Sequence, residues 1–223
     1  MAKYLLKQKA LELRKLGKSY SQIKVKLNVS KSSLSLWLRG HPLSKQRIRQ
    51  LRDVSEVRIE KFRQTMLAKR EKRFSVLYEE EKKKYLPFSE RELFIAGLFL
   101  YWGEGLKDLK YSLSLYNTNP QMIKFALYWY RNILGIPYQK IKIKLHLYSD
   151  MNIARETKFW QRELRMPSSN FSNPYIKKNS SAKINYKGAF GHGTCGLVVH
   201  DVKVKEKVMA GLKAAADYYG QKI

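Results

Sequence analysis

The chain has little of what would mark a secreted, membrane-spanning or acidic protein. Cys195 is its one cysteine, which excludes an internal disulfide framework and fits a reducing cytoplasm. No run of about 18 apolar residues is present, and the N-terminus lacks the apolar core of a signal peptide. We therefore expect a cytoplasmic protein without a membrane span. Acidic residues are also scarce, at 18 against 45 lysines and arginines.

The resulting net charge of +27 is spread along the chain and is not confined to one tail. There are 24 basic and 8 acidic residues before Phe88, and 21 and 10 from there on. Two basic halves indicate a polyanion that contacts the whole molecule. An anionic membrane surface is the alternative partner. The aromatic-rich second half is typical of a folded core, however, and this favours nucleic acid.

Residues 1–42 have the pattern of three short helices. Leucine and alanine recur at helical spacing through residues 3–16. These residues are Leu5, Leu6, Ala10, Leu13 and Leu16, and they are followed by a C-cap at Gly17. Ser19 stands three residues before Gln22, which is the spacing of a capping box, and Ser30 can cap a third helix over 31–39.

Residues 17–40, GKSYSQIKVKLNVSKSSLSLWLRG, resemble the helix-turn-helix of resolvase-like and phage-repressor-like DNA-binding domains. The resemblance implies that Leu34, Trp37 and Leu38 pack inward, while the other face of the third helix meets base edges or phosphates. The residues expected on that face are Lys31, Ser32, Ser33, Ser35 and Arg39. The alternative is a small helical bundle with a solvated basic face. Such a face would more often mix charges of both signs, so DNA binding is favoured.

Residues 43–87 predict a helical connector, because neither glycine nor proline occurs from Ser44 to Tyr85. Their apolar residues are spaced too loosely for a strict heptad repeat. We expect one or two long helices that end before Pro87. An acidic run followed by a basic run, at 79–84, suits a solvated helix in this orientation. We interpret the connector as a spacer between two DNA-contacting modules.

Residues 88–223 predict a mixed second domain, so the chain as a whole is α+β. Its elements run helix, strand, helix, strand, helix, strand, helix, with a further short strand just after Gly105. The clearest strand covers 140–148, where apolar residues alternate with Lys142, Lys144, His146 and Tyr148. This alternation indicates a half-buried strand with a basic open face.

The opening helix of this domain ends in a single acid. Residues 97–105, GLFLYWGEG, place Glu104 between two glycines after an apolar run. A carboxylate at the end of a buried segment requires a cation or hydrogen bonds, so Glu104 is either a structural cap or a metal ligand. The segment and the order of elements resemble the LAGLIDADG homing endonucleases. Gly103, Glu104 and Gly105 keep the small-acid-glycine ending of the family motif, while the preceding Ile-Ala-Gly-Leu is displaced by two residues.

The resemblance implies a homodimer with one motif per chain, whose paired Glu104 residues bind Mg²⁺ at the centre of a pseudo-palindromic DNA duplex. It also implies phosphodiester hydrolysis and an antiparallel, DNA-facing sheet on which Lys142, Lys144 and His146 contact the duplex. The alternative is a non-cleaving transcriptional regulator on a degenerate scaffold, which the bulky Phe99 and Trp102 favour. RNA binding is a third reading, against which the helix-turn-helix argues.

No nucleotide cofactor is expected. Residues 191–196, GHGTCG, formally match a dinucleotide fingerprint, but they lead into an apolar strand where the fingerprint requires a helix. A zinc site is not expected either, since His192, Cys195 and His200 lack a second cysteine to complete four ligands. We read this segment as a loop that turns into a core strand.

Overall fold

Helices alone make up the first of two compact units, Met1–Leu86, whereas the second, Pro87–Ile223, combines a sheet with helices. The computed structural model describes residues 2–51, 54–107, 111–177 and 191–222. Together the two units give the α+β class that was expected. None of the helices described combines the length and the apolar character needed to cross a bilayer.

The N-terminal unit consists of short capped helices followed by one long helix. They are α1 Ala2–Lys15, α2 Tyr20–Leu27, α3 Lys31–Leu38, α4 Lys45–Arg49 and α5 Val54–Tyr85. Ser19 and Gln22 form the expected capping box at the start of α2. The Ser30 hydroxyl accepts a hydrogen bond from the backbone N–H of Ser33 and so caps α3. These local signals start the helices because each satisfies N–H groups that no helical carbonyl reaches.

The core of this unit is small. It consists of two clusters, one of Ala10, Tyr20, Ile23, Leu34 and Leu38 with Trp37 partly buried against it, and one of Leu43, Ile48 and Leu51 with Val57 packed against it. Of the apolar residues at helical spacing in this segment, Ala10 is fully buried, whereas Leu5 and Leu16 are 55% and 75% exposed. The reason is the direction in which α1 packs. At about 100° per residue, Leu5 and Leu16 project from the side of α1 opposite to Ala10.

The first half of α5 packs on the preceding helices and is not a free spacer. Glu60 accepts a hydrogen bond from Arg14 at 2.7 Å, and both side chains are 2% exposed. The Ser19 hydroxyl donates to the Glu56 carboxylate at 2.6 Å, and the Gln64 amide donates to the carbonyl of Leu43 at 2.6 Å. Residues 68–85 are exposed throughout, so only that half of α5 agrees with the predicted connector.

The C-terminal unit begins with helix α6 and ends with helix α9. Its elements are α6 Glu90–Glu104, β1 Leu113–Asn117, α7 Pro120–Tyr128, β2 Ile141–Tyr148, α8 Ile153–Leu164, β3 Tyr175–Lys177, β4 Thr194–Val199 and α9 Val202–Gly220. A capping box of Ser89 and Glu92 opens α6. Where a further short strand was expected, Gly105 forms an isolated bridge with Leu115. A π-helical turn, Trp129–Ile133, prolongs α7.

The strands described form one sheet in the order β1-β4-β2-β3. β4 pairs antiparallel with both β1 and β2, whereas β3 pairs parallel with β2. The sheet is therefore mixed, and the prediction of an antiparallel sheet is wrong at this edge. The reason is the connection between β2 and β3, which includes helix α8. A helical crossover returns the chain to the same end of the sheet, so that the next strand runs parallel.

One face of the sheet is covered by helices and the other is open. The alternation predicted for β2 is confirmed over most of the strand, since Ile141, Ile143, Leu145 and Leu147 are at most 1% exposed. It is wrong for Tyr148 at the end of the strand, which is only 6% exposed. The covering helices approach closely at Gly97 of α6, where an added Cβ atom would overlap the ring of Trp129. Glycine is required there for packing. The open face carries the alternate side chains of the strands.

Candidate nucleic-acid interface

The exposed face of α3 carries the five residues predicted to contact DNA. Lys31, Ser32, Ser35 and Arg39 are exposed, and Ser33 is half-buried. The Ser33 hydroxyl accepts a hydrogen bond from the Ser30 hydroxyl at 2.9 Å, so it helps to close the N-terminus of the helix. The other four side chains are exposed, and the Ser32 hydroxyl also lies 2.9 Å from that of Ser30.

A basic groove, which was not predicted from the sequence, borders this face. Ser35 and Arg39 line an open cavity of about 300 Å³ together with residues of α5. Those residues include Phe62, Arg63, Met66, Leu67, Arg70 and Arg73. The Arg63 guanidinium lies 3.6 Å from the centre of the Tyr20 ring. The spacing of the three arginines along α5 was visible in the sequence, but the packing of α5 beside α3 was not.

The open face of the sheet carries the second predicted set. Lys142 is exposed, and Lys144 and His146 are partly exposed, all on the same face of β2. In the register of the sheet, His146 pairs with Tyr175 of β3, and Lys177 follows two residues later on the same face. Burial lowers the pKa of His146, and the nearby Lys177 and Lys144 lower it further. The imidazole is therefore neutral at pH 7, and the lysines supply the positive charge.

An aromatic row crosses this open face from β1 to β3. The centre of the Tyr116 ring lies 5.0 Å from that of His146, and the His146 ring lies 5.4 Å from that of Tyr175. The row crosses β4 at Gly196, where an added Cβ atom would overlap the Tyr116 ring. Only the strand order brings these residues together, so neither Tyr116 nor Tyr175 was predicted as a site residue.

Glu104 is the last residue of α6, and its carboxylate is exposed. One carboxylate oxygen accepts a hydrogen bond from the Asn117 amide at 3.0 Å. Asn117 in turn accepts the backbone N–H of Asn119 at 2.8 Å, which ties Glu104 to the turn that opens α7. Glu104 does not cap α6, because the carbonyls at a helix C-terminus need donors and a carboxylate only accepts. The negative charge there is also unfavourable with the helix dipole.

The apolar segment before Glu104 is buried on one side only, which differs from the expectation of a buried helix. Leu98 and Tyr101 are buried, whereas Ile95, Phe99 and Trp102 are 41%, 48% and 42% exposed. The exposed three lie at spacings of four and three along α6 and so share one face. Gly103 also has open space, since an added Cβ atom would meet nothing within 4 Å.

The turn that follows Glu104 is fixed by a buried hydroxyl. The Tyr101 phenol donates to the carbonyl of Leu106 at 2.6 Å, and Lys205 of α9 donates to the Tyr101 oxygen at 2.6 Å. Burial raises the pKa of Tyr101 to about 12, so the phenol keeps its proton. Glu104 therefore stands on a turn that the core holds in place.

A single chain does not supply a complete Mg²⁺ site at Glu104. In the described parts of the chain, no three His, Cys, Asp or Glu side chains are grouped closely enough to hold a metal ion. Glu104 offers one carboxylate, and Asn117 engages one of its oxygens. Mg²⁺ is commonly held by one or two carboxylates with phosphate oxygens and water. The residues present fit such a site only if a second copy contributes its own Glu104.

A second cationic surface lies beside α8, outside the predicted site residues. His192 forms a 2.6 Å contact with the buried Glu156 through its Nδ1 atom, and its ring stacks on Phe159 with 3.4 Å between ring centres. Arg155, Lys158 and Arg162 line the adjoining open cavity. The segment enters strand β4, as predicted. Cys195 is fully buried, and burial raises the pKa of its thiol, which agrees with a core position.

Comparison with known proteins finds no matching family model, no matching curated protein and no matching solved structure. Three features of the chain itself bear on its function. These are the outer face of α3, the open face of the sheet, and the exposed face of α6 that ends at Glu104.

Proposed function

We propose that the protein binds double-stranded DNA as a homodimer. The observation that carries this proposal is the charge of the open sheet face. Lys142, Lys144 and Lys177 project from it, and the described strands β1 to β4 contain no Asp or Glu. A face with one sign of charge attracts a polyanion and does not neutralise itself.

The N-terminal unit supports the same partner with an independent surface. The exposed lysine, serines and arginine of α3 match the residue types that contact phosphates and base edges in the major groove. The neighbouring groove adds Arg63, Arg70 and Arg73 from α5. Both units therefore present cations to a nucleic acid.

The exposed face of α6 supports self-association. Ile95, Phe99 and Trp102 form an apolar strip, in which the Phe99 and Trp102 rings lie 5.6 Å apart. Glycine inside a helix costs about 1 kcal/mol relative to alanine, yet nothing in the described parts of the chain crowds Gly103. We infer that a second copy approaches closely at Gly103, in the manner of the LAGLIDADG family.

Cleavage is the first of two candidate activities. Two α6 helices that pack side by side in the same direction would bring two Glu104 carboxylates to one end of the contact. Mg²⁺ bound between them would supply the Lewis acid for phosphodiester hydrolysis. The role of this chain's own residues is to orient the acid, through Asn117, and to hold its turn, through Tyr101 and Lys205.

A non-cleaving transcriptional regulator is the second candidate. Two observations favour it: Asn117 already engages the Glu104 carboxylate, and the bulky rings of Phe99 and Trp102 stand where close helix packing favours small residues. In this case Glu104 would only orient the turn before α7, and the DNA-binding surfaces would carry the function.

The binding proposal is tested by fluorescence anisotropy with a labelled DNA duplex over a range of salt concentrations. We expect affinity to fall by about 10³-fold or more between about 50 and 200 mM salt, because counterions are released from many phosphates. Replacing Lys142 and Lys144 by Gln is expected to lower the salt slope by about 2. The control replaces Lys82 and Lys83, which lie on the exposed end of α5. An affinity that does not depend on salt would contradict the proposal.

The two activities are separated by incubating the protein with selected target DNA and Mg²⁺. Nicking by the natural chain that disappears in Glu104→Gln supports the endonuclease. Tight binding without any strand break, with or without the substitution, supports the regulator. Glu90→Gln is the matched control, because it changes an exposed acid at the other end of the same helix.

The dimer is tested by sedimentation of the full chain. Phe99→Glu is expected to give monomers, since it places a charge in the apolar strip. Gly103→Ala is expected to weaken self-association without unfolding the chain. Gly40→Ala, at another glycine with open space around it, serves as its control. A natural chain that is monomeric at all concentrations and on DNA would refute the homodimer.

A further inference from the structure

We propose that the row of Tyr116, His146 and Tyr175 is a stacking platform for unpaired nucleobases, so that the C-terminal unit binds single-stranded or locally opened nucleic acid. This inference rests on the proposed nucleic-acid function and specifies the form of substrate that the sheet face takes. It goes beyond duplex binding, because in an intact duplex each base face is covered by its neighbours.

The three aromatic rings form a continuous row across the sheet. Its three rings come from three strands, with ring centres 5.0 and 5.4 Å apart. β4 lies between β1 and β2 in the sheet. Because Gly196 has no side chain, the Tyr116 ring can lie directly over the backbone of β4. One face of that ring rests on the sheet, and the side chain is partly exposed. Tyr175 at the other end is 62% exposed.

Lysine side chains surround this row of rings with positive charge. Lys144 precedes His146 by two residues on β2, and Lys177 follows Tyr175 by two residues on β3, so both lysines project from the same face as the rings. Lys142 extends the positive edge along β2. Aromatic rings with cations beside them are the arrangement that binds single strands, since bases stack on the rings while cations follow the phosphates.

The described part of this face lacks the side chains that usually contact base edges in a duplex. Specific contacts to base edges are made mostly by Arg, Asn and Gln, which form paired hydrogen bonds in the major groove. On this face the side chains of the described strands that are exposed or partly exposed are Tyr116, Thr194, Lys142, Lys144, His146, Tyr175 and Lys177, whereas Ser114, Val198 and Tyr148 are buried. None of these is Arg, Asn or Gln. The face therefore suits the flat faces of bases better than their edges.

The experiment compares a labelled oligothymidylate, which forms no hairpin, with a labelled duplex, using the full chain at physiological salt. Tyr175→Ala is expected to weaken binding of the single strand by roughly 10-fold, because one base loses its stacking partner. The duplex, held mainly through α3 and through phosphates, should lose less than about 2-fold. Tyr175→Phe keeps the ring and should restore single-strand affinity. The control is Tyr218→Ala, an exposed tyrosine on α9 of the same unit.

Oligouridylate is the second single-stranded probe, and the same selective loss is expected with it, since stacking uses the base and not the sugar. Circular dichroism of each variant verifies that the fold is intact. Equal losses on single strand and duplex, or failure of Tyr175→Phe to restore binding, would overturn the stacking platform and leave DNA binding in place. Failure of the natural chain to bind either form would instead overturn the proposed function itself.

Discussion

The interiors of the two units of this chain are held together by different interactions. The N-terminal unit has a small apolar core and joins α5 to it through a buried ion pair, Arg14 with Glu60. The C-terminal unit buries one whole face of a sheet under helices and fits glycine against tryptophan at Gly97. We therefore expect stability to depend more on charge pairing in the first unit and more on close packing in the second.

The largest expected effect comes from removing one partner of the buried ion pair. Glu60→Ala should destabilise the N-terminal unit by about 3–5 kcal/mol, because the Arg14 guanidinium is left buried without its counter-charge. Urea unfolding followed by circular dichroism measures the change. Glu79→Ala, at an exposed acid on the same helix, should change stability by less than about 0.5 kcal/mol. Equal effects of the two substitutions would show that charge pairing does not limit this unit.

The next largest effect is expected from disturbing the close packing at Gly97 in the C-terminal unit. Gly97→Ala is expected to destabilise that unit by about 1–3 kcal/mol, because the added methyl group overlaps the buried Trp129 ring. Gly220→Ala is the control in the same unit, at a glycine of α9 with open space around it. It should leave stability unchanged or raise it by up to about 1 kcal/mol. A tolerated Gly97→Ala would contradict the comparison.

A smaller loss of stability is expected when the serine of either capping box is replaced. Ser19 is buried and also donates to Glu56, whereas Ser89 is exposed and contacts only its own helix start. Ser19→Ala is therefore expected to cost about 2 kcal/mol and Ser89→Ala about 1 kcal/mol. Chemical unfolding of each variant provides the measurement. A reversed order would mean that the contact with α5 adds nothing to the cap of α2.

The smallest effect is a dependence on pH confined to the C-terminal unit. Because burial and the neighbouring lysines lower the pKa of His146, the folded state resists its protonation. The contribution of His146 to the free energy of unfolding is fully present above the pKa of about 6.5 that histidine has in the unfolded state. It is lost as the pH falls through the lower pKa of the folded state. Thermal unfolding between these limits should show the decline in the natural chain and a weaker one in His146→Gln. His200→Gln, at an exposed histidine, should behave like the natural chain.

Part of the fold could be predicted because its signals are local. Ser19, Ser30 and Ser89 each satisfy N–H groups within a few residues, so the starts of α2, α3 and α6 follow from short stretches of sequence. The alternation along 141–148 likewise identifies a half-buried strand. Leu5 and Leu16 show the limit of this reasoning, because helical spacing alone does not tell which side of α1 meets its neighbours.

The candidate site was predicted only in part, for the same reason. Lys142, Lys144 and His146 share a face because residues two apart in a strand must do so. Tyr116 and Tyr175 join them only through the strand order, and the parallel pairing of β3 was not expected. Asn117 reaches Glu104 because the bridge at Gly105 turns the chain back along β1.

By itself, the sequence determined the charge of both halves, the helix starts, the exposed face of α3 and the presence of one acid at the end of an apolar segment. These follow from composition and from interactions between residues close in the chain. Only the tertiary structure decided that α5 packs beside α3, that the α6 segment is open on one side, and that three rings and three lysines share one face of a mixed sheet. Those arrangements depend on contacts between residues far apart in sequence, which no local pattern specifies.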